Sequence, residues 1–198
     1  MSISTISLRN AVFPRSSALN NVLFVTVGAL FIAGLAQIAM PIPGSPVPVT
    51  GQTLGVLLIG TSYGTTLGLS TLLTYLLVGL AGAPVFANGG HGLSQLTGAT
   101  GGYLVGMLVA SLVVGFLAGR TWDQRLRTSI PTMLVGDATI FSFGLFWLHA
   151  FTGKSWSWTL AAGFTPFLIG EVLKIAIAGT SLPIVWRFIH KYHLLCQR

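Results

Sequence analysis

The chain has 198 residues, 53% of them hydrophobic and 7% charged. A soluble domain carries about 25% charged residues, so a fold surrounded by water is excluded and an all-α membrane protein is expected. Ten Lys and Arg against three acids give a net charge of +7; these cations flank apolar runs, which points to membrane topology and anionic headgroups and not to a nucleic-acid partner.

A helix needs about 20 apolar residues to cross the hydrocarbon, and the first such run covers 18–40. It lacks a small-residue cleavage pattern, so no cleaved signal peptide is expected. Pro-Ile-Pro-Gly-Ser-Pro-Val-Pro at 41–48 then forbids helix. The uncharged stretch from Val49 to Ala83 is too long for one upright span. A break near Gly60–Gly64 divides it into a short helix at 52–61 and a fuller one at 64–81. A Gly-rich loop leads to a fourth span at 98–118. The charged loop from Arg120 to Arg127 leads through Pro131 to a fifth at 132–151, and Thr165-Pro166 opens a sixth at 166–187.

Charge decides the number of spans. Arg9, Arg15, Arg120, Arg125, Arg127, Arg187, Lys191 and Arg198 share one side if there are about six, and Lys154 alone lies opposite. The positive-inside rule therefore predicts one polytopic domain with both termini cytoplasmic, in the inner membrane, and Trp156 and Trp158 at the outer interface. Glycines four apart (Gly60, Gly64, Gly68; Gly98, Gly102, Gly106; Gly115, Gly119) make smooth faces for helix packing.

Ionisable groups inside spans are costly and mark candidate sites. They are Asp137, Glu171 and Lys174. Glu171 and Lys174 are three apart and share a helix face in the outer half of the membrane. They form either a self-neutralising pair or a charged wall of a cavity. Asp137, nearer the cytoplasmic end, reads as structural or interfacial. Thr50, Gln52 and Asn88 in the outer loops supply donors and acceptors, and Phe86 and Tyr103 supply flat apolar faces, which is the mixture a small-ligand pocket needs. His91, His149, His190 and His193 have no metal-ligand spacing, and no metal or cofactor is expected. The single cysteine, Cys196, allows no intrachain disulfide. Gly153-Lys154-Ser155 resembles the end of a P-loop, but Leu148 stands where its first glycine belongs. No nucleophile–base motif is present, so an enzyme is not expected.

Four blocks carry a family resemblance: Val-Pro-Val-Thr-Gly-Gln-Thr-Leu-Gly-Val-Leu-Leu at 47–58, Gly-Ala-Pro-Val-Phe-Ala-Asn-Gly-Gly at 82–90, Leu-Thr-Gly-Ala-Thr-Gly-Gly-Tyr-Leu at 96–104 and Pro-Phe-Leu-Ile-Gly-Glu-Val-Leu-Lys at 166–174. In this order they resemble the BioY family, the biotin-specific S components of energy-coupling factor transporters. The resemblance implies a six-helix S-component fold, biotin as the transported ligand, a transmembrane T component and two cytoplasmic ATPases as partners. It implies docking of the T component on an Ala-x-x-x-Ala face, matched by Ala29 and Ala33. The family pattern has Asp where this chain has Glu171, which keeps the charge and shifts it by one methylene. Rival readings are an S component for another vitamin such as riboflavin or thiamine, an intramembrane enzyme using Asp137, Glu171 and the histidines, and a structural scaffold.

Overall fold

The computed structural model describes residues 7–13 and 17–196, without the side chains of 192–196. Arg15 and Arg198, and the side chains of His193 and Cys196, lie outside the described residues. The described chain is helical almost throughout: α1 (Leu8–Val12), α2 (Ala18–Gln37), α3 (Gln52–Leu80), α4 (Leu93–Thr97), α5 (Gly101–Ala118), α6 (Leu126–Thr152), α7 (Trp156–Gly163) and α8 (Leu168–Cys196). Five stretches are long and apolar enough to cross a membrane: α2, α3, α5, α6 and the run Trp156–Lys191.

One of these, α3, is folded in two. Gly64 has φ +76° and ψ −178°, outside helical space and in a region that L side chains rarely adopt. In a straight helix residues 60 and 68 stand about 12 Å apart at 1.5 Å rise per residue. Here a Cβ built on Gly68 would lie 3.1 Å from the Gly60 Cα. Gln52 and Tyr75, near the two ends of the helix, are joined by a 2.6 Å hydrogen bond. The arms 52–63 and 65–80 thus run back on one another, and the break expected between Gly60 and Gly64 falls at Gly64.

Other boundaries differ from expectation for identifiable reasons. The first span stops at Gln37, where the chain turns into a two-residue antiparallel pair, Ala39–Met40 (β1) with Val49–Thr50 (β2). That pair draws the proline segment back over the bundle. Helix α6 starts at Leu126 and carries Pro131 inside it. The proline removes one helical hydrogen bond, while the next residue, Thr132, bonds the Thr128 carbonyl through Oγ1 at 2.9 Å. Gly153 caps α6 with φ +63°, the left-handed helix ending for which glycine suits best. Trp156 and Trp158 lie on the separate helix α7, N-capped by Ser155, whose Oγ accepts from Trp158 N at 3.3 Å.

The glycine faces are internal packing faces. A Cβ on Gly60 would lie 2.7 Å from Val114, one on Gly106 2.8 Å from the Ile140 carbonyl, and one on Gly115 2.7 Å from the Thr65 nitrogen. These backbones touch, as in close membrane helix pairs. Ala29 and Ala33 are half-buried and pack against the chain's own core. The outward face of α2 is instead Leu19, Val22, Leu23, Val27 and Leu30, each more than half exposed. Arg9, expected as a flanking charge, is 5% exposed: it donates to Asn10 and Asn21 at 2.7 Å each and lies over the Phe24 ring at 4.9 Å.

Candidate functional site

Three separate pieces of chain meet at one end of the bundle: the segment after β2, the Gly-rich loop 81–100, and the start of α8. Between them is a cavity lined by Val47, Pro48, Thr50, Gln52, Thr53, Phe86, Ala87, Gln95, Thr100, Tyr103, Leu104, Met107, Phe141, Phe167 and Glu171. It is small, about 40 Å³. The polar wall comes mainly from residues 50–53 and Glu171, Gln95 and Thr100 add two further polar groups, and the rest is aromatic and aliphatic.

The polar wall is tightly bonded. Glu171 is 4% exposed. Its Oε1 accepts from Lys174 Nζ at 2.6 Å, and its Oε2 accepts from Thr53 Oγ1 at 2.9 Å. Lys174 Nζ also donates to Thr53 Oγ1 at 3.0 Å and to the Thr50 carbonyl at 2.5 Å. An ammonium has three N–H donors, and all three of these are engaged. Lys174 therefore stands behind Glu171 and ties α8 to the start of α3. Asp137 of α6 is 8% exposed and near enough to interact with both charges, and its Oδ1 has no hydrogen-bond partner. All three intramembrane ionisable residues thus form one cluster, with Asp137 nearer the site than its place early in the fifth span suggests.

The Gln52 side chain is held by two bonds. It accepts from Thr50 Oγ1 at 3.1 Å and donates to Tyr75 OH at 2.6 Å, and Tyr75 in turn donates to the Val85 carbonyl at 3.0 Å. Tyr75 thereby joins the folded helix to the loop that carries Phe86, whose ring meets the Tyr75 ring edge-on at 5.5 Å. Gln37 fastens the same loop from α2: its Nε2 donates to the Phe86 carbonyl and its Oε1 accepts from Gly89 N, both at 3.1 Å. Tyr103 donates to the Gly163 carbonyl at 2.8 Å, so its ring, stacked on Phe167, is what it presents to the cavity.

Of the residues singled out in the sequence, Thr50, Gln52, Phe86, Tyr103 and Glu171 line this one cavity, and Lys174 bonds to its wall. Asn88 does not line it. It is exposed at the loop tip in a left-handed conformation, φ +55°. Thr53 and Tyr75 were not singled out. A polar residue within an otherwise apolar span is the signal that would have found both.

Comparison with known proteins places this geometry in a family. The profile of the BioY family matches residues 8–191. The chain belongs to the BioY family. Biotin transporter BioY2 of Lactococcus lactis subsp. cremoris is 36% identical over 184 residues, covering 90% of this chain and 98% of that protein. The biotin transporter BioY of Thermotoga maritima is 33% identical over 151 residues, covering 76% and 86%. A crystal structure described as the S-component for biotin from an ECF-type ABC transporter superposes with a TM-score of 0.78 at 22% identity, covering 88% of this chain and 94% of that one. That likeness shows the S-component fold.

Proposed function

We propose that this BioY-family chain is a high-affinity biotin-binding S component, the subunit that captures biotin for uptake across the inner membrane. The observation that carries the reading is the cavity in which the Glu171 carboxylate and the 50–53 hydroxyls and amide face an aromatic wall. Biotin needs both surfaces. Its ureido ring has two N–H donors and a carbonyl acceptor, and its thiophane ring and valerate chain are apolar.

Glu171 accepts a ureido N–H, and Gln52 and Thr50 serve the rest of the ureido edge. Lys174 has spent its donors on protein acceptors, so it balances the Glu171 charge and does not contact the ligand. The valerate carboxylate then points toward the loops. Ligand pockets of known proteins enclose about 300–1,000 Å³, against about 40 Å³ here, so biotin enters as segments 41–51 and 81–100 part. The exposed Asn88 reaches the ligand only in such a rearranged loop.

Both termini are cytoplasmic in this reading, since the loop and α6 start with Arg120, Arg125 and Arg127 and the end of α8 with Arg187 and Lys191 carry the positive charge. ATP hydrolysis comes from two partner ATPases through a T component that docks on α2. The half-burial of Ala29 and Ala33 leaves them as the close-approach floor of that contact. Equilibrium binding of labelled biotin to the detergent-purified chain, competed with riboflavin and thiamine, tests the reading. Competition by biotin alone is expected; displacement by another vitamin would assign the site to that vitamin.

A further inference from the structure

Far from the outer cavity, near the Gly64 bend and the 119–125 loop, lies a second and larger concavity of about 570 Å³. Its walls include Leu112 and Phe116 of α5, Thr65 of α3, Trp122 of the loop and Val135 of α6. It offers no charged group and no amide, so it cannot satisfy a ureido ring. Phe116, Trp122 and Val135 are 52%, 38% and 44% exposed.

What distinguishes this groove from an ordinary lipid-facing surface is its rim. The guanidinium of Arg120 lies over the Phe116 ring, 4.3 Å from its centre. The ring face holds the cation at the groove's mouth through a cation–π contact. Arg120 is exposed, and among the described residues the one ion pair is Glu171–Lys174. The nearby carboxylate, Asp123, is 0% exposed and accepts from Trp186 Nε1 at 2.5 Å, so it is turned inward. Arg125 follows at the end of the same loop and Arg127 in the first turn of α6, both exposed. Trp122 at the edge suits the headgroup level of a bilayer. An apolar trough ending in a cation with no anion calls for a ligand with an apolar chain and an anionic head.

We propose that this groove binds an anionic phospholipid, with one acyl chain along Phe116, Leu112 and Val135 and the phosphate at Arg120. A zwitterionic headgroup brings its own cation to the arginines and binds less well. The proposal rests on the chain lying in a membrane and not on the ligand of the outer cavity.

Native mass spectrometry of the full-length protein, with phosphatidylglycerol and phosphatidylcholine of identical chains in competition, tests it. Phosphatidylglycerol is expected to be retained about five- to tenfold better. Arg120→Gln should remove that preference and Arg120→Lys should keep it. Val135→Trp, at an exposed wall position, should lower retention of both lipids. Equal retention by the wild type, or a preference that survives Arg120→Gln, overturns the proposal. So does displacement of the lipid by millimolar inorganic phosphate, which would make this a phosphate site only. If Val135→Trp blocks assembly with a membrane subunit and leaves lipid retention unchanged, the groove is a protein-docking face and the proposal fails. Biotin binding, read on the same samples, should be unaffected by all three variants.

Discussion

Adding one methyl group at Gly79 should damage biotin binding without touching the polar wall. A Cβ at Gly79 would stand 2.3 Å from the Phe86 ring, with two further ring carbons at 2.6 and 2.7 Å. Ordinary carbon contact begins near 3.4 Å, so the ring must withdraw by at least 3.4 − 2.3 = 1.1 Å. Phe86 is 2% exposed and has Tyr75 edge-on at 5.5 Å. The direction left to it is the cavity it already lines. Overpacking of this kind costs about 1–3 kcal/mol. If that cost falls on the ligand's space, affinity drops about five- to a hundredfold. Titration of Gly79→Ala with biotin in detergent measures the loss, and circular dichroism with size-exclusion profiles confirms the fold. Gly79→Ala combined with Phe86→Leu, which gives back ring volume, should recover most of the affinity. A folded Gly79→Ala protein with wild-type affinity would refute the placement of Phe86 at the ligand.

Three further outcomes follow from other parts of the molecule. Glu171→Gln with Lys174→Met removes both charges and should leave the fold intact, since losing both partners of a buried pair is tolerated better than losing one; it should still weaken biotin by about ten- to a hundredfold, because a charge-assisted acceptor is worth about 1.5–3 kcal/mol. Asp123, in the loop outside the spans, has its carboxyl raised from the usual 3.8 to about 6 by burial, which the Trp186 hydrogen bond opposes. A carboxyl raised on folding favours the folded state when protonated, so stability should fall as pH rises between about 4 and 6 and then level off. Asp123→Asn should flatten that part of the thermal-midpoint profile; an unchanged slope would assign it elsewhere. A reporter fused after Arg198 should read cytoplasmic and one inserted in 153–155 should read external, and the reverse would invalidate the charge-based topology.

The sequence made the crossings legible because they depend on local facts. Uncharged length, prolines at 41–48 and a glycine able to take φ +76° are each readable without a partner. The Glu171–Lys174 pair was legible for the same reason, since a spacing of three fixes a shared helix face. The hydroxyl that joins the pair was not: Thr53 reaches Glu171 across 118 positions, and no periodicity encodes that meeting. Tyr75 is similar, because its bond to Gln52 exists only once α3 is folded at Gly64. Helix α7 and the short β pair escaped notice because each is brief and depends on packing more than on propensity. Asn88 shows the opposite case, a residue legible by type and placed away from the cavity. Its residue type suits a ureido edge, but Asn also tolerates left-handed backbone, and here that backbone puts it at an exposed loop tip.

Thermal unfolding of the detergent-purified chain with and without biotin tests the central claim most directly. A ligand that binds only the folded state stabilises it by about 2.7 kcal/mol at a hundredfold excess over its dissociation constant. The account predicts a melting temperature that climbs steadily with biotin concentration, and a much smaller rise for Glu171→Gln. A melting temperature that biotin leaves unmoved at every concentration would contradict it.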